Sequence, residues 1–146
     1  MEKIKKISFL AIIFTFFANI SFSYDDYFSE GVKLFEKKKY EEAKFLFEKS
    51  IVFNPKHSNS YLYLAKIYKK IEDKKNEERN LETTLLIDPI NEEAILMLMK
   101  IGLEKTNYSK VKELSERFIK VCTTLCTENK KILKELENLE PKNNES

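Results

Sequence analysis

Cys122 and Cys126 are the two cysteines of this 146-residue chain, and His57 is its one histidine. These side chains have the widest chemical repertoire available to it. The cysteines flank Thr123-Thr124-Leu125. In an oxidising compartment such a pair tends to form a disulfide. If the segment bends between them, the two sulfurs can meet. If it continues as one helix, the four-residue spacing puts both side chains on one face, leaning the same way, and a bond is strained. Three readings stay open: a structural disulfide, two buried free thiols, and a redox or metal role. Two thiols with no histidine nearby in sequence do not complete a four-ligand zinc site. His57 follows Pro55-Lys56, so a surface turn is expected there. A catalytic histidine needs a nucleophile or carboxylate within hydrogen-bond reach, and no local motif supplies one. A nucleophile elbow and a zinc-protease motif are also missing. The two glycines, Gly31 and Gly102, both fall within expected helices, which leaves no phosphate cradle. No catalytic residue and no cofactor is expected.

Lysines are the other candidates. Lys37, Lys38 and Lys39 form a run, and Lys66, Lys69, Lys70, Lys74 and Lys75 form a looser one. Cations favour helix C-termini, so solvated helix ends are one reading. A binding surface is the other. Nucleic acid is not the expected partner. Residues 1–23 hold Lys3, Lys5, Lys6 and Glu2, and without them 23 basic and 23 acidic residues remain, a formal net charge of zero. Sequence-independent attraction to nucleic acid needs a basic excess.

That first segment reads as a signal peptide. A basic start precedes an apolar run from Ile7 to Ala18, and Ser21-Phe22-Ser23 offers a small-x-small cleavage site before Tyr24. The run rises only ~18 Å as a helix, short of the ~30 Å hydrocarbon core. Removal is favoured over a permanent anchor, and a membrane link is expected only if the segment stays uncleaved. No cysteine near the cleavage site could take a lipid. The chain is expected to be exported, into a bacterial periplasm or outside the cell.

The elements that position these residues follow from a period. Pro55 and Pro89 lie 34 residues apart, and the same shift aligns Tyr27 with Tyr61 and Ile95, Gly31 with Ala65 and Met99, Ala43 with Glu77 and Val111, and Phe47 with Leu81 and Ser115. Tyr61, Leu64, Ala65 and Tyr68 form a helical stripe, and Leu81, Leu85 and Leu86 form another. Few helix breakers and abundant Lys, Glu and Leu agree with helix throughout. Helices are expected near 25–37, 40–53, 59–71, 75–87, 92–104 and 108–121. A capping helix over about 125–139 would lay Leu125, Ile132, Leu133, Leu136 and Leu139 on the last repeat, before a flexible tail at 140–146. Gly31 and Ala65 fit where paired helices cross, and Phe47 and Leu81 fit the gaps between repeats. Ser58 and Asn91 suit helix N-caps.

Tyr40-Glu41-Glu42-Ala43, then Phe47, then Asn54-Pro55, together with Tyr61, Leu64, Ala65 and Tyr68, resembles the tetratricopeptide repeat. The resemblance implies an all-α, right-handed solenoid of antiparallel helix pairs, with repeats at about 24–57, 58–91 and 92–125. The matching residues are structural, so they specify fold more than function. Departures occur at Lys74 (against Tyr40 and Tyr108), at Glu77 where a small residue is usual, at Thr123 in place of the turn proline, and at Gly102, which costs ~1 kcal/mol against Ala inside a helix.

In that family the first helix of each repeat lines a concave groove. The resemblance therefore assigns the groove to Phe28, Val32, Phe35, Leu62, Lys66, Lys69, Leu96, Lys100 and Leu103. Such a surface suits an amphipathic or acidic peptide. The residues that clasp a C-terminal carboxylate in one subtype are replaced by Phe28, Val32, Tyr63, Glu93 and Met97, which counts against that mode. The expected function is an exported, non-enzymatic scaffold that binds a protein or peptide, in cell-envelope assembly. Two alternatives are a self-associating structural protein, with a second copy in the groove, and a thiol-disulfide or metal factor using Cys122 and Cys126.

Overall fold

A computed structural model describes residues 24–139. The expected signal segment and tail, 1–23 and 140–146, lie outside the described residues. Seven helices occupy the described part: α1 Tyr24–Glu36, α2 Tyr40–Phe53, α3 Ser58–Lys70, α4 Lys74–Ile87, α5 Glu92–Glu104, α6 Tyr108–Val121 and α7 Cys126–Leu139. Each lies within one residue of the span read from the sequence. Consecutive helices pair as α1–α2, α3–α4 and α5–α6, and α7 packs on both helices of the last pair. No described helix is long and apolar enough to cross a membrane.

The pairs are set by short turns of one construction. Lys38, Glu72 and Thr106 each adopt a left-handed backbone, with φ of 60°, 61° and 54°. They stand 34 residues apart. After each, an amide reaches back five residues, closing a six-residue turn: Lys39 to the Leu34 carbonyl at 2.9 Å, Asp73 to Tyr68 at 3.0 Å and Asn107 to Gly102 at 2.8 Å. This closure satisfies helix-end carbonyls that would otherwise lack partners. Asp73, Asn91 and Asn107 then cap the following helices by accepting from the amides of Asn76, Ala94 and Lys110. Asn91 is the cap expected from sequence. Ser58 is not one: it is the first helical residue of α3, and His57 precedes it without a capping bond.

Packing explains the small residues. A Cβ on Gly31 would sit 2.8 Å from a ring carbon of Phe47, so only glycine lets α1 approach α2 this closely. A Cβ on Gly102 would lie 2.7 Å from Val111 Cγ2. The expected helix-propensity penalty at Gly102 is therefore offset by contact, because alanine would wedge α5 from α6. Phe47 is fully buried beside Leu64 and Ile67, and its ring centroid lies 5.1 Å from that of Tyr63 in the next repeat. It fills the gap between repeats, as expected. Leu81 is also fully buried.

Burial peaks at α5. Ala94 through Met99, then Ile101, Gly102 and Leu103, are all buried. A helix apolar on nearly all sides must be surrounded, and α5 is enclosed by α4, α6 and α7. Ile132 and Leu136 of α7 join this core. Leu125 and Leu133, half-buried, pack against it as well, so four of the five residues expected to cover the last repeat do so, while Leu139 is exposed.

Candidate functional site

Phe28, Val32 and Phe35 lie on α1, Leu62, Lys66 and Lys69 on α3, and Leu96, Lys100 and Leu103 on α5. The structure brings five of the nine to one cleft. About 600 Å³ in volume, it is walled by Phe35, Lys66, Lys69, Leu96 and Lys100 together with Lys70, Glu93, Met97, Leu125 and Glu128. Leu62 lines a neighbouring recess of about 530 Å³ with Glu92, Val121 and Leu125. Leu103 lines a third, of about 430 Å³, with Lys100, Glu135 and Leu139. Phe28 and Val32 pack into the first core cluster. Phe28 meets Phe47, Tyr63 and His57, the last at 4.6 Å between ring centroids.

Apolar surface in this region is limited. Leu62, Leu96 and Leu103 are each 5–6% exposed, so they shape the floor and offer little contact area. Phe35, half-buried, is held edge-on to Tyr63 at 5.4 Å. The cations are more open. Lys69 and Lys100 are exposed, and so is Lys70. None of the three forms an ion pair among the described residues. Lys66 is committed: its Nζ lies 2.8 Å from Glu93 Oε2 and 4.5 Å from the centroid of the Tyr63 ring. In sequence, Glu93 and Met97 count against a carboxylate clasp; in space they wall the cleft. Their i, i+4 spacing, continued to Lys100, is the signal that places all three on one face.

One end of the cleft is built by the cysteine segment. Cys122 and Cys126 are joined by a disulfide, with Cα atoms 5.4 Å apart. The chain bends there: Cys122 is extended and ends α6, and α7 starts at Cys126. Leu125 between them is half-buried against the core and lines both the cleft and the Leu62 recess. Glu92 of α5 fixes this loop. Its carboxylate accepts from the amides of Thr123 at 2.6 Å, Thr124 at 3.2 Å and Leu125 at 2.7 Å, and from both threonine hydroxyls. These bonds, that of the Thr123 hydroxyl foremost, hold the Glu92 carboxyl at a pKa of about 2. The carboxylate supplies partners to the amides of the loop before α7 from a different helix. Nothing local in the sequence signals it, since Glu92 and Thr123 lie 31 residues apart.

His57 follows the expected turn at Pro55-Lys56 but does not lie on the open surface. It is half-buried, with Nδ1 2.7 Å from Ser60 Oγ, and Ser60 Oγ donates to Ser50 Oγ at 3.0 Å. Burial lowers its pKa despite the opposing field of Asp25. Its place is in the packing between repeats one and two. Among the described residues, no group of three or more His, Cys, Asp or Glu side chains is placed to hold a metal ion.

Three helix pairs with a 34-residue register and one turn construction decide the architecture. The fold is a tetratricopeptide-repeat solenoid. No protein-family model and no curated protein matches the sequence. Solved structures do match in shape. The type III secretion chaperone SycD of Yersinia enterocolitica, in complex with a peptide of the translocator YopD, superposes with a TM-score of 0.70 over 78% of this chain and 92% of that one, at 13% identity. The first TPR of Spaghetti (RPAP3), bound to the HSP90 peptide SRMEEVD, gives 0.69 over 80% and 91%, at 15% identity. The Sgt2 TPR domain from Aspergillus fumigatus gives 0.66 over 84% and 87%, at 18% identity. At these identities the likeness shows the fold alone.

Proposed function

We propose that this protein is an exported scaffold that holds a short acidic, amphipathic segment of another protein in the cleft between α1, α3 and α5. The observation that carries the reading is the cleft's lining: a partly apolar wall of Phe35, Leu96 and Met97 beneath three exposed lysines, Lys69, Lys70 and Lys100. The lysines would set the segment's register and speed its capture, and half-buried Phe35 would supply most of the apolar contact. Two of the similar solved structures hold peptides, which supports a peptide-sized guest. The protein would act by binding alone. The disulfide and Glu92 would serve it structurally, by fixing the cleft's end. Export into a periplasm or the medium, with a part in envelope assembly, rests on the signal-like residues 1–23; the mass of the exported protein should place its first residue at Tyr24.

Binding is tested with a labelled acidic peptide of alternating leucine and glutamate, followed by fluorescence anisotropy. Lys69→Glu combined with Lys100→Glu should weaken it at least about tenfold, and added salt should weaken the parent complex. Both side chains are exposed, so the fold should tolerate the change; circular dichroism checks this. Equal binding by the parent and the charge-reversed variant would remove the cleft from the account.

A further inference from the structure

Among the described residues, the repeat register leaves a face of α2 without the cover given to its counterparts. Leu46 is half-buried, whereas Asn80 and Leu114, one and two periods later, are buried. On α6 the corresponding stripe meets the preceding repeat: Lys110 pairs with Glu78 and Glu82, and Arg117 donates to the Pro89 carbonyl at 3.1 Å. No helix pair precedes α1–α2 among the described residues. The stripe Glu42, Phe45, Leu46 and Lys49 therefore faces outward. Phe45 is 60% exposed, at a position where the later repeats carry the exposed polar residues Arg79 and Glu113. Beside it lies an apolar recess of about 410 Å³, formed by Leu34, Phe45 and Leu46 with Glu41 and Glu42 at its rim. Lys49 stands one turn beyond, its Nζ 5.6 Å from the Phe45 ring centroid.

We propose that this stripe is a homodimer interface, in which two α2 helices pack antiparallel about a two-fold axis lying between Phe45 and Leu46. Charge order selects the occupant. The stripe is acidic at its N-terminal end and basic at its C-terminal end. A central two-fold axis sets Glu42 of one copy against Lys49 of the other, at both ends of the contact. Parallel pairing would oppose like charges. Phe45 of each copy enters the recess of its partner, where the acidic rim accepts the lysine one turn away. The Glu42–Lys39 pair, 3.1 Å apart, is exposed on both sides; it is worth little and gives way readily. One helix face makes a small interface, at the weak end of specific contacts, so the dimer forms at high chain concentration. It leaves the peptide cleft open and does not depend on it.

The protein purified after export, its first residue fixed by mass spectrometry, is followed by sedimentation equilibrium from about 5 to about 500 µM. A reversible monomer–dimer equilibrium is expected. Phe45→Glu abolishes it without changing the circular dichroism. Glu42→Lys and Lys49→Glu each weaken it at least about tenfold, and the double variant recovers it, because the two-fold restores opposite charges. Lys49 also lies over the Tyr27 ring, so thermal melts of each variant separate dimer loss from unfolding. A monomer at every concentration, a dimer indifferent to Phe45→Glu, or a double variant that fails to recover overturns the proposal. So does cross-linking that finds retained residues 7–18 on Phe45, which would assign the stripe to that segment.

Discussion

Glu77 and Glu92 are treated oppositely by the fold. Glu77 is 1% exposed at the position Ala43 and Val111 hold in the other repeats, and its Oε2 has no hydrogen-bond partner. Its nearest cation, Lys74, lies 3.8 Å away and also serves Glu104 at 2.8 Å. Burial therefore raises the Glu77 pKa, against the pull of Lys74 and Lys69. A raised carboxyl pKa means stability falls as pH rises above the ordinary carboxylate value. Glu92, at about 2, has the reverse sign: its contribution is whole above 4.5 and disappears as pH falls toward 2. Two variants should diverge accordingly in melts across pH. Glu77→Gln should be more stable than the parent at pH 7, by about 1 kcal/mol, and the gain should vanish in acid. Glu92→Gln should melt lower at neutral pH, and its deficit should close below pH 4.5. Parallel pH profiles for the two variants would contradict both assignments.

At the level of the elements, the three intra-repeat turns carry a cost that no glycine relieves. Lys38, Glu72 and Thr106 adopt a backbone that L-residues disfavour by roughly 1–2 kcal/mol, and for β-branched Thr106 the conformation is a true outlier. The six-residue closure and the caps at Asp73 and Asn107 hold the chain there regardless. Thr106→Gly should therefore stabilise the protein by about 1 kcal/mol, after subtracting the extra freedom glycine gains when unfolded. Urea titration checks the sign; a loss of stability would show that the Thr106 side chain contributes more than its backbone costs. The α6–α7 junction uses another device, a disulfide and a carboxylate brought from α5, because the turn proline found after α2 and α4 is absent there.

For the molecule as a whole, stability is shared between neighbours, since no helix pair can cover its own apolar faces. α5 is buried on nearly every side, and α7 closes the end beyond it with Ile132 and Leu136. Ile132→Ala should cost about 2–4 kcal/mol, measured by urea unfolding. Hydrogen exchange should rise in α5, α6 and α7 more than in α1 and α2, because coupling decays along a stack. A uniform rise along the chain would indicate one indivisible core.

The 34-residue period, the small residues at crossings and the prolines after second helices settle the helix pairs from sequence alone. They do so because helical periodicity and backbone restriction are local effects, legible in Tyr61-x-x-Leu64-Ala65 or Asn54-Pro55. The cleft was legible in its main members, since register along one helix fixes which residues share a face. Other features depended on which chains the stack brings into contact. Gly102 is favoured by a Val111 side chain on another helix. Leu62, Leu96 and Leu103 became floor instead of open surface once their neighbours covered them. His57 was drawn into packing by Phe28, and Glu92 found its amides across 31 residues. Burial and partner choice are properties of two surfaces at once, and a single stretch of sequence records one of them.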